Sequence, residues 1–500
     1  MLQNTVEFLF FLVYNIYLDE LLVFQKKRRF YLKMELTFHG GIRVDDNKNA
    51  RKSKIELFPA PQFVTIPLSQ HIGAPAKPLV KVGDIVDKGQ MIADNDTGLS
   101  CPVHSSISGK IISIDQGVLQ TGVKTDFIKI ENDYAERLHV SVQPYGKKIS
   151  ETSADEIIEF VRSSGISGLG GATFPTYAKI QSAKNRVSTL IINCAECEPY
   201  ITANHRLMLE SPEYIVNGMK ILMKALGLRV GYIAVEDNKL DAVTILSEFA
   251  SKNKMVEIKV LKTKYPQGDE RQIIYALTGK QLPAGKLPAD YSCVVFNVET
   301  CAAICNAFVS GMPLIDRIVT IDGDCIISPK NLKVPLGTPV SALIEYCGLK
   351  KEPKKIINGG PMMGTAIFDI NMPVTKGTSA ILAFSEKMLD KTTRSCIHCG
   401  KCVSACAMGL SPAYLAMFSQ KHDMERCEKY DVLSCVECGC CTYICPAAIP
   451  IVQHIRTAKG KINETRKRDA LIASAKQADI PVPKEYEGRA AQAGREIKKE

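Results

Sequence analysis

The sequence has no apolar run long enough to span a bilayer, which takes about 20 residues. Phe8 to Leu18 is mostly apolar, but Asp19 and Glu20 interrupt it. The bases at 26–29 follow this run, whereas in a signal peptide they precede it. Because globular sequence begins at Met34, we interpret residues 1–33 as an extension without chemistry, for which an upstream start would account. A helix lying on a membrane surface is the alternative.

The sequence also lacks a basic stripe interleaved with aromatic side chains, which is typical of a nucleic-acid interface. Lys and Arg total 63 against 53 Asp and Glu, so the net charge is +10. The bases are dispersed, with local concentrations at 26–29, 48–54, 351–355 and in the C-terminal tail. This distribution predicts no nucleic-acid partner and favours surface solvation and docking to acidic proteins.

No disulfide framework is expected, although the chain has 18 cysteines. Many of them fall into two runs with the spacing of cluster ligands, which favours metal binding in a reducing cytosol. At 500 residues, with 46% hydrophobic and 23% charged residues, the composition is globular. A chain this long divides into roughly three or four domains. We predict a multidomain fold of the α/β and α+β classes.

Short strands separated by glycine and proline turns characterise residues 34–135. KPLVKVGDIVDKGQMIAD alternates apolar and polar residues with turns at Gly83 and Gly89, and CPVHSSISGKIISI repeats the rhythm. Two such halves predict a barrel-sandwich β domain similar to lipoyl-carrying domains. The lysine that would carry a swinging cofactor is not evident, so we expect a structural or interaction role.

Helices and strands alternate over residues 136–312. ADEIIEFVRSSG predicts a helix that Ser153 caps and that ends at Gly165. Further strands are expected at VSTLIIN, VGYIAVED, VEIKVLKTKY and CVVFN, and helices at LDAVTILSEFA and ERQIIYALTG. This alternation predicts a Rossmann-like domain with a mostly parallel sheet and helices on its faces.

Short strands return over residues 313–385, with one helix expected at VSALIEYCG. This pattern indicates a compact β-rich unit. Residues 386–460 contain the two cysteine runs. Residues 461–500 are basic and alanine-rich, and we expect a solvated helix or a flexible tail there.

The two cysteine runs carry the strongest chemical signal. Both follow C-x2-C-x2-C-x3-C, in which a short loop wraps three irons of a cubane and the fourth ligand comes from the other run. We therefore predict two [4Fe–4S] clusters in a ferredoxin-like α domain. The metal ligands of one cluster would be Cys396, Cys399, Cys402 and Cys445. Those of the other would be Cys435, Cys438, Cys441 and Cys406.

A pair of structural zinc sites is the alternative, since C-x2-C pairs also bind zinc. Zinc binding by C-x2-C pairs does not explain the third and fourth cysteines of each run, which are repeated in both runs. Cys440 adjoins a ligand, but the duplicated spacing favours Cys441. Ala407 stands where a proline usually follows the fourth cysteine, a small departure from the ferredoxin pattern.

A glycine-rich loop, GISGLGGATFPTYAK at 165–179, separates two predicted helices. Clustered glycines let backbone amides point at a phosphate, and the helix that follows adds its dipole. Alone, the loop fits a tight turn as well. Three further motifs come at strand ends, where the ligands of open α/β sheets collect. They are NCAECEP (193–199), YPQGDERQ (265–272) and FNVET (296–300).

These four motifs, in this order, resemble the flavin and NADH site of the large flavoprotein subunit of respiratory complex I. With FHGGIR at 38–43, GGPMMG at 359–364 and the cysteine runs, the chain is still more similar to the C subunits of Rnf (Rsx) electron-transport complexes. Those complexes are ferredoxin:NAD+ oxidoreductases coupled to ion pumping. The resemblance extends from residue 38 through the second cysteine run. It also implies a β-grasp ligand-binding-type domain at 313–385.

The resemblance implies non-covalent FMN, with NAD(H) beside it, in the α/β domain. Gly168, Gly170, Gly171 and Ala172 would lie against the flavin phosphate or ring, with Lys179 near the phosphate. Asn193, Glu196 and Glu198 would form the acidic edge where flavin and nicotinamide meet. Asp269 and Glu270 would supply a second acidic wall, and Asn297 with Thr300 would close the flavin pocket.

Three positions depart from the complex I pattern. Leu169, Ala195 and Cys197 stand where that family has arginine, aspartate and glycine. These changes concern the nicotinamide contacts rather than the flavin. Cys194 and Cys197 suggest a metal site, but no third and fourth ligands adjoin them, so we expect buried thiols.

The implied chemistry joins two-electron and one-electron carriers. NAD+ accepts hydride and a cubane passes single electrons, so FMN is expected between them and no catalytic side chain is predicted. The resemblance implies a peripheral subunit on the cytoplasmic face of the cell membrane. Other Rnf subunits would be its partners, and ferredoxin would supply electrons indirectly through a sister subunit.

Two other functions fit the same modules. One is a soluble flavin/iron–sulfur cobalamin reductase of a bacterial microcompartment. The other is a non-catalytic electron relay whose flavin site has decayed. FHGGIR and the position of the barrel-sandwich domain favour the Rnf type over the first alternative.

Overall fold

The computed structural model describes residues 35–251, 255–283, 285–386 and 392–477. The predicted extension at 1–33 and the end of the predicted tail lie outside the described residues. Short 3-10 helices cover Asn49–Lys52, Ile149–Glu151, Pro288–Tyr291 and Val432–Ser434.

The barrel-sandwich region forms two small sheets over one core. After β1 (Ile55–Leu57), the chain supplies β2 (Phe63–Pro67), β3 (Lys77–Pro78), β4 (Ile85–Val86), β5 (Met91–Asp94), β6 (Val103–His104), β7 (Gly109–Val118) and β8 (Lys124–Asn132). The antiparallel sheets have the orders β2-β8-β7-β4 and β3-β5-β6. Val64, Ile128 and Ile92 come from both sheets and are fully buried together. The predicted β sandwich is confirmed.

The α/β region has a parallel sheet of order β11-β10-β9-β12. Its elements are α1 (Ala154–Ser163), α2 (Thr176–Ala183), β9 (Thr189–Cys194), α3 (Ala203–Glu210), α4 (Pro212–Leu226), β10 (Gly231–Glu236), α5 (Leu240–Ser251), β11 (Val256–Leu261), α6 (Glu270–Thr278), β12 (Cys293–Asn297) and α7 (Val298–Ser310). Leu190 and Ile192 pack into the core on one face of the sheet and Ile191 into the core on the other. Both faces are therefore covered, as the apolar strands predicted.

The start of this region confirms the predicted helix cap. The Ser153 hydroxyl accepts the amide of Glu156 at 3.2 Å, and the Glu156 carboxylate accepts the amide of Ser153 at 2.8 Å. This reciprocal pair is a capping box. The sequence did not reveal α3 and α4, although Pro212 at the start of α4 and Gly227 after it are ordinary helix boundaries.

A second, mixed sheet has the order β1-β14-β13-β17-β15-β16. It contains β13 (Asp316–Asp322), β14 (Lys330–Pro335), β15 (Lys355–Asn358), β16 (Thr365–Ala366) and β17 (Ala380–Phe384), and α8 (Val340–Cys347) covers it. Leu343 and Ile344 of α8 pack on Val319 and Ile381 of the sheet. One helix over a small sheet matches the predicted β-rich unit.

The strand β1 lies in this second sheet, not in the barrel sandwich to which the sequence assigned it. It pairs in parallel with β14, so that Ile55 lies opposite Asn331. The residues before β1 also contact the second sheet, since the side-chain amide of Asn49 donates to Asp322 of β13 at 2.9 Å. A strand of three residues is too short to show an alternation of apolar and polar residues from which its partner strand could be predicted.

The cysteine-rich region is helical. It contains α9 (Lys401–Ser404), α10 (Pro412–Gln420), α11 (Met424–Lys429), α12 (Cys440–Tyr443) and α13 (Ile451–Gln477). The boundary predicted between residues 460 and 461 falls inside α13. Ile455 and Ile462 are both buried in the core of this region, so the apolar face of α13 continues past the predicted boundary.

The barrel sandwich, the α/β region and the mixed sheet meet at the buried Lys376. Its Nζ donates to the carbonyls of Pro102 at 2.7 Å and Gly165 at 2.8 Å. His104 is 4% exposed nearby, and its Nδ1 has no hydrogen-bond partner among the described residues. Burial, together with the charge of Lys376, lowers the pKa of His104 to about 3.

We expect His104 to make this junction acid-labile. In the unfolded chain the His104 imidazole binds a proton with a pKa near 6.5, whereas in the folded chain its pKa is about 3. Protonation therefore favours the unfolded chain, and stability is lost as pH falls from about 6.5 towards 3. The limiting slope is about 1.4 kcal/mol per pH unit. Hydrogen exchange in peptides covering β6 and the segment around Lys376, followed between about pH 6.5 and 4.5, should show a flatter pH dependence of local stability for His104→Gln. Parallel curves for variant and parent would contradict the assignment.

Candidate functional site

The glycine-rich loop and two strand ends come together at one edge of the parallel sheet. Asn193 of β9 and Asn297 of β12 are register partners at the carboxyl ends of neighbouring strands. A Cβ on Gly170 would lie 3.3 Å from the Cβ of Asn297, so the loop passes directly over β12. The structure therefore brings together motifs that the sequence separates.

The loop presents a row of free amides. The amides of Gly168 and Leu169 turn inward, to the Phe174 carbonyl at 2.8 Å and the Thr300 hydroxyl at 2.9 Å. From Gly170 to Thr173, no amide donates a hydrogen bond to any described residue. Gly170, Gly171 and Ala172 are exposed, and Thr173 is half-buried. Consecutive free amides form an anion-binding concavity.

Gly171 is needed for this shape. Its φ is +104°, in the region that side chains disfavour and glycine adopts freely. No described atom lies within 4 Å of a Cβ placed there. The backbone conformation, rather than crowding, therefore requires glycine at this position.

Lys179 and Glu270 form an ion pair beside the loop. The Nζ–Oε1 distance is 2.6 Å, and both side chains are partly exposed. The same ammonium lies 5.5 Å from the centroid of the Phe296 ring. The predicted phosphate-side cation and one residue of the predicted acidic wall are thus neighbours.

Other predicted residues hold the strand-end loops. The side-chain amide of Asn193 donates to the Gly268 carbonyl at 2.8 Å. Asp269 caps α6 by accepting the amides of Arg271 and Gln272 at 3.0 and 3.2 Å. Burial raises the pKa of Asp269 to about 6. Asn297 caps α7 at the Glu299 amide, at 2.8 Å.

Glu196 and Glu198 bind backbone amides in this structure. Glu196 accepts the amides of Asn204 and His205 at 2.6 and 3.1 Å, at the start of α3. Glu198 accepts the amides of Met362 and Met363 at 3.1 and 3.0 Å. Burial raises the pKa of Glu198 to about 7. Both carboxylates hold chain segments in place rather than standing free at an open edge.

Two lysines that the sequence analysis missed support this turn. Lys48 donates to the carbonyls of Glu196 and Glu198 at 3.1 and 3.0 Å. Lys239 donates to the Ala195 carbonyl at 2.6 Å and pairs with Glu236 at 2.8 Å. Isolated lysines belong to no motif, so no local signal could have found them.

Of the two thiols expected to be buried in this turn, Cys194 is buried and Cys197 is only half-buried. Cys194 is 1% exposed, and the half-buried Cys197 accepts the Gly268 amide at 3.2 Å. Burial raises the pKa of both thiols. Among the described residues, no three His, Cys, Asp or Glu side chains converge as they would around a single metal ion.

The two cysteine motifs share one backbone conformation. His398 and Glu437 have φ values of 54° and 57°, and Gly400 and Gly439 have values of 74° and 82°. The amide of His398 points at the Cys396 sulfur at 3.5 Å, as the amide of Glu437 does at the Cys435 sulfur at 3.3 Å. Short helices follow at equivalent places, α9 and α12. The two motifs therefore share their backbone geometry as well as their cysteine spacing.

One predicted ligand set surrounds a cavity. The cysteines that line it are Cys406, Cys435, Cys438, Cys440 and Cys441. The cavity thus joins the last cysteine of the first run to the second run, as cluster ligation from both runs requires. In a cubane each thiolate binds a different iron, so the sulfurs surround the cluster without meeting at one point.

The other predicted set lies at the surface. Cys396 and Cys399 are exposed, while Cys402 and Cys445 are half-buried. The Arg394 amide donates to the Ala447 carbonyl at 2.8 Å. This bond holds the start of the first motif beside the segment that follows Cys445.

The second motif docks directly on the α/β region. The hydroxyl of buried Tyr265 donates to the Cys438 carbonyl at 2.7 Å. The first motif is held separately, because the Gly41 amide of the FHGGIR segment donates to the Ala405 carbonyl at 3.0 Å. The YPQGDE loop therefore contacts the second motif through Tyr265, and through Gly268 it contacts Asn193 at the strand end beside the amide row.

Comparisons with known proteins agree with this arrangement. The model of the Nuo51 FMN-binding domain matches residues 161–306. The model of the RnfC barrel sandwich hybrid domain matches residues 36–135, and the SLBB domain model matches residues 318–366. Three of the predicted domain types are thus supported by family models.

Curated relatives match most of the chain. The C subunit of the Na(+)-translocating ferredoxin:NAD(+) oxidoreductase complex of Acetobacterium woodii is 42% identical, over 86% of this chain and 98% of that protein. The C subunit of the proton-translocating ferredoxin:NAD(+) oxidoreductase complex of Clostridium ljungdahlii is 42% identical, over 87% and 95%. The C subunit of the ion-translocating oxidoreductase complex of Rhodobacter capsulatus is 39% identical, over 88% and 86%.

The chain belongs to this family of C subunits. The resemblance drawn from the sequence motifs is confirmed, and it decides against the microcompartment cobalamin reductase. An FMN-binding type of domain forms part of the chain. Within the ranges that the structure describes, no helix has the length and apolarity needed to cross a membrane.

Proposed function

We propose that this chain passes electrons between NAD(H) and two [4Fe–4S] clusters by way of FMN bound at the amide row. It does so as a subunit of an ion-translocating ferredoxin:NAD+ oxidoreductase. The observation that carries the proposal is the packing of the second cysteine motif against the YPQGDE loop, through Tyr265 and Cys438, because the same loop binds Asn193 at the strand end beside the amide row. A cofactor at the amide row would thus lie next to a cluster at the cavity.

The residues around the amide row fit FMN. The free amides from Gly170 to Thr173 suit the anionic phosphate or the ring edge, with Gly168 shaping the loop. Lys179 supplies a cation, while Asn297 and Thr300 close the pocket. When bound, FMN exchanges hydride with NAD(H) and single electrons with the clusters.

The NAD(H) site is proposed at the edge lined by Asn193, Asp269 and Glu270. Asn193 fixes the loop that carries the two acidic residues, because its side-chain amide binds the Gly268 carbonyl. Glu196 and Glu198 act behind this edge, where they hold α3 and the GGPMMG segment through backbone amides. Their contribution is to place the loop rather than to contact the nicotinamide.

The structure also suggests an order for the clusters. Cys406, Cys435, Cys438 and Cys441 line one cavity, and the carbonyl of Cys438 accepts from Tyr265 of the α/β region, so we propose that they hold the cubane nearer the flavin. Cys396, Cys399, Cys402 and Cys445 include the exposed positions, so we propose that they hold the cubane that exchanges electrons with a partner protein.

We further propose that this partner is another subunit of the Rnf complex, which passes on electrons from ferredoxin. The chain would then be peripheral, on the cytoplasmic face of the membrane. The names of the relatives support assembly into a complex. The exposed loop at 392–400 gives the partner a place to approach.

A charge placed in the amide row tests the proposal. Ala172→Asp introduces a carboxylate among the free amides, and Ala172→Asn introduces an uncharged group of the same shape. We expect the aspartate to weaken FMN binding about 10-fold or more relative to asparagine, because like charges a few ångströms apart cost more than about 1 kcal/mol. The measurement is FMN titration of the flavin-depleted full chain, followed by flavin fluorescence.

The unsubstituted chain, purified without oxygen, supplies the reference. It should retain FMN and two cubanes, and NADH should bleach the flavin. Iron without flavin would favour the non-catalytic relay. Equal affinities of the aspartate and asparagine variants would place the phosphate elsewhere.

A further inference from the structure

A buried cation of the second sheet donates a hydrogen bond to the glycine-rich loop. Arg317, on β13, is 0% exposed. Its guanidinium pairs with Glu299 at the start of α7, with Nε–Oε1 and Nη2–Oε2 distances of 3.0 and 2.9 Å. The same Nη2 donates to the Leu169 carbonyl at 3.1 Å, and Nη1 donates to the Lys376 carbonyl. Arg317 therefore connects three segments behind the amide row.

Leu169 is held on both of its backbone groups. Its amide donates to the Thr300 hydroxyl at 2.9 Å, and its carbonyl accepts from Arg317. The side chain is 1% exposed, so it anchors the residue in the core as well. The two peptide groups that flank Leu169 are thus both held, the one before it through its N–H and the one after it through its C=O.

The orientation of the peptide after Leu169 decides where the next amide points. The peptide between Leu169 and Gly170 is trans, and in a trans peptide the C=O and the N–H point in opposite directions. Because the Leu169 carbonyl points inward to Arg317, the Gly170 N–H points outward, to the exposed side of the loop. Gly170 is the first of the free amides.

We propose that Arg317 is a positioning residue for FMN: it turns the Leu169 peptide so that the row of amides from Gly170 onward faces the cofactor. This inference rests on the proposed FMN site. It gives the SLBB-type domain a role in flavin binding, because the guanidinium comes from β13 and the segment at 375–378 also approaches the loop. A Cβ on Gly377 would lie 3.1 Å from the Thr173 methyl.

The competing interpretation is that Arg317 only neutralises Glu299. A buried carboxylate that loses its partner is strongly destabilising, so Arg317→Met alone would weaken FMN binding under either interpretation. The double variant Arg317→Met/Glu299→Gln separates the two. It removes the unpaired charge and keeps an acceptor for the Ile318 amide, which Glu299 binds at 3.0 Å. It still leaves the Leu169 carbonyl without its donor.

The test is FMN titration of the flavin-depleted full chain, with the midpoint potential and visible spectrum of the bound flavin as second readouts. We expect the double variant to unfold at a higher temperature than Arg317→Met yet to bind FMN about 10-fold more weakly than the unsubstituted chain, the equivalent of about one charged hydrogen bond. The flavin spectrum and potential should shift as well. Arg317→Lys, which keeps a cation, should recover part of the affinity.

Thr300→Val gives a second route if the Arg317 variants fold poorly. It removes the acceptor of the Leu169 amide and so frees the preceding Gly168–Leu169 peptide, which should reproduce the weaker binding and the spectral shift. Arg162→Met is the matched control, because Arg162 pairs with Asp94 between domains at 2.9 Å and touches no residue of the amide row. Its FMN affinity should be unchanged.

The outcomes separate this inference from the proposed function. An unsubstituted chain that takes up no FMN would overturn both. If that chain binds FMN and the double variant binds it equally well with an unchanged spectrum, the proposed function stands. Arg317 is then no more than the partner of Glu299.

Discussion

Replacing Cys441 with alanine is expected to remove about half of the iron and to stop NADH from reducing the cluster that remains. Cys441 is 6% exposed and lines the same cavity as Cys438, whose carbonyl accepts from Tyr265 of the YPQGDE loop. If the cubane held there stands between the flavin and the surface cluster, its loss breaks the only route between them that the proposed order allows. NADH should still bleach the flavin, because the Gly170 loop and the strand ends are untouched.

A matched substitution at the surface cluster should behave differently. Cys399→Ala removes an exposed member of the other ligand set. We expect it to lose a similar share of iron, yet NADH should still reduce the cluster at the cavity. Freeze-quenched electron paramagnetic resonance after mixing with NADH distinguishes the two variants. If the Cys441 variant passes electrons to its remaining cluster and the Cys399 variant does not, the proposed order is reversed.

Cys440 supplies the control for ligand identity. It adjoins Cys441 and lines the same cavity, and its sulfur lies 3.8 Å from the Tyr265 carbonyl. The duplicated spacing excludes it as a ligand, so Cys440→Ala should keep both cubanes. Loss of iron from this variant but not from Cys441→Ala would exchange the roles of the two cysteines.

The fold was predictable where the signal is local. The alternation of strands and helices predicted the parallel sheet, and Ser153 with Glu156 marked the start of α1. The spacing of the cysteines predicted two motifs, and these share one backbone conformation. The residues of the helix cap and of each cysteine motif lie within a few positions of one another, and each strand or helix is recognisable from its own short window, although the strands of the sheet pair over long separations.

The rest depends on contacts between distant segments. Strand β1 pairs with β14, and Tyr265 reaches the carbonyl of Cys438, 173 positions later in the chain. The motifs located Glu196 and Glu198 at the site, but not the amides that occupy their carboxylates. Arg317 lies outside every motif. Its role follows from burial, which a single sequence does not report.

Lys239 should give the largest stability effect in the α/β region. Lys239 and Glu236 are each 1% exposed, and Nζ lies 2.8 Å from Oε2. Lys239→Met leaves the Glu236 carboxylate buried without its partner, which costs about 3–5 kcal/mol. It also frees the Ala195 carbonyl, which Lys239 binds at 2.6 Å in the turn that carries Glu196. We therefore expect loss of local stability and of NADH reactivity together.

The surface pair Lys259–Glu257 is the matched control. Its N–O distance is 2.7 Å, nearly the same, but the two side chains are 32% and 49% exposed. Lys259→Met should cost no more than about 1 kcal/mol, because water screens the exposed pair. Since a chain of several domains does not unfold in one step, the suitable measurement is hydrogen exchange in peptides covering β9 and β10.

The pH dependence identifies the cause of the Lys239 effect. Burial already raises the pKa of Glu236, and removing the neighbouring ammonium raises it further. A folded-state pKa above the unfolded value means that the folded chain binds the proton more tightly, so stability is present at low pH and is lost as pH rises through the folded pKa. Acid should therefore protect β10 in Lys239→Met, and Glu236→Gln added to it should protect β10 at neutral pH. If neither change restores protection, the loss comes from the freed Ala195 carbonyl and not from a stranded charge.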